Sequence, residues 1–107
     1  MGDLTSKKCV PCEAGTPPLP EDAVKKLLPQ VPSWQKEGSK IKKEFNFKNF
    51  RQAMEFVSKV ADLAEKEGHH PNICVFYSRV ALTLWTHAIG GLSENDFILA
   101  AKIDKLL

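Results

Sequence analysis

One long amphipathic segment, bounded by Asn49 and Gly68, divides this chain into two halves of similar pattern. Asn49 is a favoured helix N-cap, Gln52 follows three positions later as in a capping box, and Gly68 is a favoured C-terminal residue. Apolar residues recur between these bounds at helical spacing, at Phe50, Ala53, Met54, Val57, Ala61 and Ala64. The sequence therefore predicts a long helix in the middle of the chain.

Two pairs of strand-like segments flank this helix. Before it, residues 34–37 and the alternating residues 41–47 are separated by Gly38-Ser39, which suits a two-residue hairpin turn. After it, residues 72–77 and 79–85 have the composition of two further strands. Each half of the chain therefore contributes two strands to a sheet.

Shorter helices are predicted at both ends of this pattern. Pro20-Glu21-Asp22 opens the first helix, and Ser93 caps the last. The order is α-β-β-α-β-β-α. It predicts an α+β fold, in which a four-stranded, mainly antiparallel sheet carries three helices packed on one face.

Residues 1–19 are predicted to form an extended arm, and residues 20–107 a single domain. The arm contains Cys9 and Cys12 at the spacing of half a metal knuckle or of a redox motif. A zinc site would need two further ligands, and a redox site would need a βαβ setting. A lightly packed arm is the favoured interpretation, and Cys74, alone in an apolar strand, is expected in the core.

Composition and charge exclude several classes of protein. A chain of 107 residues, 43% hydrophobic, is long enough for one domain with a core. A net charge of +2 with dispersed lysines gives no basis for direct nucleic-acid binding. No apolar run approaches the roughly 20 residues that span a bilayer, and no signal-peptide pattern begins the chain. We therefore expect a cytoplasmic protein without membrane contact.

A second apolar stripe on the long helix is formed by Phe56, Val60 and Leu63. It widens the apolar arc to roughly half the circumference at about 100° per residue. A monomer needs a narrower face, so the excess predicts a helix-to-helix contact between subunits. A deep position in the core is the alternative.

Three histidines are the best candidates for chemistry. His69 and His70 follow the long helix in tandem, and His87 follows the last strand. The unperturbed pKa of an imidazole is about 6.5, so the side chain can both give and take protons near neutral pH. If the last two strands are neighbours, His70 and His87 lie near the same sheet margin, where they could act as general acid and base. Partly solvated loop histidines are the alternative for the tandem pair.

Two carboxylates accompany these histidines. Asp96 lies three residues after Ser93, as in a capping box, which explains it without a role in orienting a histidine. Glu65 is a polar residue at the helix edge unless it reaches His69 or His70. A histidine-only zinc site is the competing arrangement, and it is disfavoured because no two histidines have the i, i+4 spacing of helical ligands.

The spacing of these residues resembles the signature of the pterin-4a-carbinolamine dehydratases. The resemblance covers residues 65–96, and the order of elements agrees with that family's fold over roughly 20–107. The residues that carry it are Glu65, His69-His70-Pro71, Tyr77, His87 and Asp96. The arm with Cys9-Val-Pro-Cys12 is also similar to the N-terminus of some members, with no function attached to it.

The resemblance implies that the substrate is 4a-hydroxytetrahydrobiopterin or a related tetrahydropterin. Its dehydration to the quinonoid dihydropterin would support tetrahydrobiopterin recycling for aromatic amino-acid hydroxylases. His69 would be the main acid/base group, His87 its counterpart and His70 a pterin-binding residue, with Glu65 and Asp96 as orienting groups and no metal or organic cofactor. The resemblance leaves open which imidazole donates and which pterin side chain is accepted.

Family members form homodimers or homotetramers, and some animal members are also dimerisation cofactors of a homeodomain transcription factor. The non-enzymatic alternative is therefore a transcription-factor partner bound through the long helix around Phe56, Val60 and Leu63. That role would extend the expected location to the nucleus.

Overall fold

The computed structural model describes residues 4–10 and 16–107. Within these residues, the predicted α+β fold and its α-β-β-α-β-β-α order are confirmed. The elements are α1 (Glu21–Leu27), β1 (Gln35–Glu37), β2 (Lys40–Asn46), α2 (Phe50–Glu67), β3 (Asn72–Phe76), β4 (Arg79–Leu84) and α3 (Glu94–Asp104). Three short 3-10 turns lie at Leu4–Ser6, Leu28–Gln30 and His87–Ile89.

The four strands form one sheet in the order β1-β2-β4-β3, and every neighbouring pair is antiparallel. β3 and β4 are adjacent, with Asn72 opposite Thr83. The residues that lead into β3 and those that leave β4 therefore share one margin of the sheet. This is the arrangement that the sequence analysis required for His70 to lie near His87.

The core lies between one face of the sheet and the helices. Alternation along β4 turns Val80, Leu82 and Leu84 inward, where all three are buried, as the sequence predicted. In β2, Ile41 and Phe45 point to the same side. No helix in the described part of the chain is long and apolar enough to cross a membrane.

Helix α2 begins and ends where the sequence predicted. The Asn49 side chain accepts a hydrogen bond from the Gln52 amide at 2.8 Å. Gly68 ends the helix with φ at 67°, a left-handed conformation that glycine adopts without steric cost.

The buried face of α2 combines residues of both apolar stripes, Ala53 and Ala64 of the first with Phe56 and Val60 of the second. The Phe56 ring lies 4.7 Å from the Phe45 ring and 5.0 Å from the Phe47 ring, and Val60 is fully buried one turn later. The prediction of a subunit or partner contact around Phe56 and Val60 is therefore wrong, because the sheet covers them. The large apolar residues of α2 that are exposed are Phe50 and Met54, at 49% and 39%.

Cys74 is exposed, so its expected place in the core is also wrong. It lies opposite Ala81 on the outer face of the sheet, whereas its neighbours Ile73 and Val75 pair with the inward-facing residues of β4. The apolar run in β3 concealed this alternation, because an edge strand with no helix on its outer face leaves alternate apolar residues in solvent.

The described part of the N-terminal arm is packed more closely than the sequence indicated. Leu4 is buried in the core and its 3-10 turn lies against α3, while Cys9 is half-buried. Cys12 lies outside the described residues. The division into an arm and a domain stays a prediction.

Phe56→Ala is expected to lower the free energy of unfolding by about 3–5 kcal/mol, because it opens a cavity beneath two aromatic neighbours. Phe76→Ala, which truncates a phenylalanine that is 52% exposed, is the control and should cost less than about 1 kcal/mol. Urea unfolding followed by circular dichroism measures both. Equal losses in the two variants would contradict the assignment of Phe56 to the core.

Candidate active site

The tandem histidines are placed by the turn that ends α2. The amides of Gly68 and His69 both donate to the Ala64 carbonyl, at 2.9 and 3.2 Å. The left-handed backbone at Gly68 turns the chain away from the helix axis. His69 is thereby directed towards the start of α3, and His70 towards solvent.

His69 makes the closest contact in the site. Its Nε2 lies 2.6 Å from Oδ1 of Asp96, and the two side chains are 11% and 0% exposed. The other carboxylate oxygen, Oδ2, accepts from the Ser93 amide at 2.9 Å and from the Thr86 hydroxyl at 3.0 Å. Every oxygen of this buried carboxylate therefore has a donor.

This network assigns the proton positions around His69. Because a carboxylate can only accept, the Nε2 of His69 carries the hydrogen that faces Asp96. The Thr86 hydroxyl donates to Asp96, so the Ser93 hydroxyl, 2.7 Å away, donates to Thr86. The nitrogen of His69 that is left to exchange protons with a ligand is Nδ1.

Asp96 has both of the roles that the sequence offered as alternatives. The contact from the Ser93 amide is one half of a capping box at the start of α3. The contact with His69 uses the second oxygen of the same carboxylate. A negative charge in the first turn of α3 also matches the positive end of the helix dipole.

His70 and Glu65 form a separate pair. The Nε2 of His70 lies 2.6 Å from Oε2 of Glu65, with the side chains 60% and 78% exposed. Such an exposed pair contributes about 0–1 kcal/mol to stability. Its effect is to orient the imidazole at the surface, while Glu65 makes no contact that reaches His69.

His87 lies on the other side of the site. It begins a 3-10 turn, and its ring packs on the Trp85 ring at a centroid distance of 4.1 Å. The amide of Thr86 donates to the Gly91 carbonyl at 2.8 Å, which closes the loop around His87. Nζ of Lys40 lies 4.2 Å from the centroid of the Trp85 ring and makes a cation–π contact with it.

A cleft of about 440 Å³ collects these residues. His69, His70 and His87 all line it, so the structure brings the three predicted histidines together. Tyr77 does not line it: this residue of the sequence signature is 71% exposed in the turn between β3 and β4. Among the described residues, no group of three or more His, Cys, Asp or Glu side chains is placed to hold a metal ion.

The cleft residues that sequence reasoning missed include Thr86, Asn95 and Val10. Thr86 and Asn95 are each next to a predicted site residue, and both are polar yet buried. Adjacency was the only signal available for them. Val10 lies in the arm, and nothing in its local sequence points to the cleft.

Glu67 joins three segments beside the cleft. Its carboxylate accepts from Nζ of Lys102 at 2.9 Å and from the Cys9 amide at 3.0 Å. Burial by itself raises the pKa of Glu67, but these hydrogen bonds and the Lys102 charge lower it below its ordinary value. Burial, followed by the charge of Glu67, raises the pKa of the Cys9 thiol to about 12. Cys9 is therefore a protonated, poorly nucleophilic thiol near neutral pH.

The fold is a small α+β sandwich with a cleft that contains three histidines, one of them held by a buried carboxylate. The family model for pterin 4 alpha carbinolamine dehydratase matches residues 17–106. This chain belongs to that family.

Two bacterial relatives bear the provisional name of pterin-4-alpha-carbinolamine dehydratase. The protein of Nitrosospira multiformis is 51% identical over 99% of this chain and 94% of its own. The protein of Rubrobacter xylanophilus is 44% identical over 99% of this chain and 100% of its own.

Two solved structures have a similar fold. A transcriptional coactivator/pterin dehydratase from Brucella melitensis has a TM-score of 0.79 and 35% identity, over 83% of this chain and 97% of its own. A pterin dehydratase-like protein identified as a RuBisCO assembly factor in the alpha-carboxysome has a TM-score of 0.60 and 32% identity, over 69% of this chain and 88% of its own.

Glu67→Gln is expected to lower the free energy of unfolding at neutral pH by roughly 1.5–3 kcal/mol, the contribution of hydrogen bonds to a charged group. Because folding lowers the pKa of Glu67 from 4.5, this stabilisation is complete above about pH 4.5 and is lost as the pH falls through the folded-state value. Urea unfolding at a series of pH values should therefore show the wild-type and variant curves converging in acid.

Glu65→Gln is the matched control on the same helix, since Glu65 is an exposed carboxylate paired with a histidine. It should change stability by less than about 1 kcal/mol at neutral pH. A Glu67→Gln deficit that stays constant down to about pH 3 would contradict the pKa assignment.

Proposed function

We propose that this protein dehydrates 4a-hydroxytetrahydrobiopterin, or a close tetrahydropterin relative, to the quinonoid dihydropterin. The observation that carries the proposal is His69, held in the cleft by the buried Asp96 with its second nitrogen left for a ligand. Membership of the family supports the class of reaction. The product is the form from which tetrahydrobiopterin is regenerated after aromatic amino-acid hydroxylation.

The reaction requires proton transfer alone. The bond between C4a and the hydroxyl oxygen breaks, a double bond forms between C4a and N5, and water leaves. The hydroxyl must gain a proton and N5 must lose one, while the net oxidation state of the pterin and water together is unchanged. Positioned acid and base groups therefore suffice, and general acid–base catalysis typically contributes about 10²–10⁴-fold to such a rate.

The roles follow from how firmly each imidazole is held. His69 acts as the main acid/base group through Nδ1, because Asp96 fixes its other nitrogen. His87, packed on Trp85 across the cleft, is its counterpart. His70 is more exposed, and it binds the pterin in the orientation that Glu65 gives it.

His69→Ala is expected to slow dehydration by about 10²–10⁴-fold, because it removes the positioned acid/base group. The measurement is stopped-flow absorbance of freshly generated 4a-hydroxytetrahydrobiopterin with wild type and variant. Tyr77→Phe is the control from the same sequence signature, and it should retain the wild-type rate because Tyr77 lies outside the cleft.

Two results would contradict this proposal. Wild-type protein that leaves the spontaneous rate unchanged would exclude the dehydratase activity. A wild-type enzyme whose rate survives in His69→Ala would keep the activity and remove His69 from its proposed role.

The exposed apolar residues of α2 favour a second feature, which is self-association to a homodimer or homotetramer. Phe50 and Met54 are one helical turn apart and border a shallow groove with Arg51, Glu55 and Ser58. Apolar side chains grouped on a polar surface mark interaction sites. The non-enzymatic alternative, a transcription-factor partner, would use this same surface. The Brucella melitensis protein of similar fold is described as a transcriptional coactivator/pterin dehydratase.

Phe50→Glu is expected to dissociate the oligomer, because it places a charge where two apolar faces would meet. Sedimentation velocity of wild type and variant across micromolar concentrations gives the oligomeric state. Phe76→Glu is the control, since Phe76 is equally exposed on the sheet. A wild-type protein that sediments as a monomer throughout would remove this contact from the proposal.

A further inference from the structure

Residues 4–10 of the arm lie outside the family-model match at residues 17–106, yet they contact the candidate site. Leu4 is buried in the core. Further along the arm, the Cys9 amide donates to Glu67, and the Cys9 thiol lies 3.6 Å from the Asn95 carbonyl. The last described residue of this segment, Val10, lines the cleft itself.

Asn95 holds Val10 by both polar groups of its backbone. Oδ1 of Asn95 accepts from the Val10 amide at 2.9 Å, and Nδ2 of Asn95 donates to the Val10 carbonyl at 2.5 Å. The Asn95 residue is only 5% exposed. A buried amide that pairs with an N–H and a C=O of one residue fixes that residue in both position and direction, as a neighbouring strand would.

The arm is attached beside the two residues that define the proposed catalytic pair. Asn95 immediately precedes Asp96, and Glu67 is separated from His69 only by Gly68. Both attachment points therefore share the rigid backbone that positions the imidazole and its carboxylate. A substrate that contacts the arm is therefore held at a fixed position relative to His69.

Val10 is 64% exposed although its backbone is fixed, so its side chain has surface available for a ligand in the cleft. The histidines and Asn95 supply polar groups around the same cleft, whereas Val10 offers an aliphatic surface. We propose that Val10 is a substrate-contacting wall of the pterin site and that Asn95 is the positioning residue that holds it there. This inference rests on the proposed function, because the ligand is the same tetrahydropterin.

The test compares Asn95→Asp with Lys7→Ala in the full chain. Asp at this position adds a negative charge to the first turn of α3, where the helix dipole favours it, so the helix is retained. It still accepts from the Val10 amide, but it cannot donate to the Val10 carbonyl and sets an anionic oxygen against it. Lys7→Ala disturbs the same arm at an exposed ion pair with Glu94 and does not border the cleft.

In the dehydration assay, Asn95→Asp should raise KM about tenfold, the lower end of the affinity that burying one valine side chain provides, with kcat within about twofold of wild type. Val10→Ala should raise KM in the same direction by a smaller factor. Lys7→Ala should leave both constants at the wild-type values. A loss of helix structure alone would instead lower kcat and stability together, which thermal unfolding of each variant measures.

Release of the arm has an independent signal in Cys9. In a Cys12→Ser background, Asn95→Asp should accelerate alkylation of Cys9 by iodoacetamide, because the freed thiol leaves the surroundings that raise its pKa. Cys74, which is exposed in any case, is the internal reference. Peptide mass spectrometry separates the two sites.

The outcomes are distinct for the inference and for the proposed function. If the wild type dehydrates the pterin and Asn95→Asp releases Cys9 without changing KM, the dehydratase stands and the arm is no part of its site. If the wild type does not accelerate dehydration, binding of 7,8-dihydrobiopterin measured by calorimetry decides the inference. Weaker binding by Asn95→Asp than by Lys7→Ala then upholds it, and equal or absent binding overturns it.

Discussion

The buried carboxylate of Asp96 is the interaction on which the candidate site depends. Burying a carboxylate with no solvent exposure costs free energy unless each oxygen accepts a hydrogen bond. In Asp96, Oδ1 contacts His69, and Oδ2 accepts from the Thr86 hydroxyl and from the Ser93 amide at the start of α3. The same carboxylate therefore caps the start of α3 and orients the His69 imidazole. Local unfolding at the first turn of α3 would also release His69, so the site is as stable as that turn.

The features that the sequence predicts correctly are those set by residues close to one another in the chain. The caps at Asn49 and Gly68 and the alternation in β4 are local patterns, and with the element order they were sufficient for the fold. The spacing from Ser93 to Asp96 likewise predicted the cap. It could not predict that the second oxygen of Asp96 would face a histidine 27 residues earlier, because that contact exists only after α3 packs beside the end of α2.

The errors have the same origin. The two stripes of α2 adjoin on the helix, and periodicity alone cannot say which residues of each stripe face the sheet. The choice is made by Phe45 and Phe47, whose rings cover Phe56 and leave Phe50 in solvent. The prediction for Cys74 is wrong because β3 is apolar on both faces, and composition does not tell which face is exposed.

The arm joins this arrangement from outside the range that the family model matches. His69, Asp96 and the sheet margin lie within the matched range, whereas Val10 reaches the same cleft from outside it. Since Asn95 and Asp96 are consecutive, the first turn of α3 holds His69 through the Asp96 side chain and Val10 through the Asn95 side chain. Under the proposed function, changes in the arm would alter pterin binding while the contact between His69 and Asp96 is kept. This separation of binding from chemistry follows from the two side chains facing different partners.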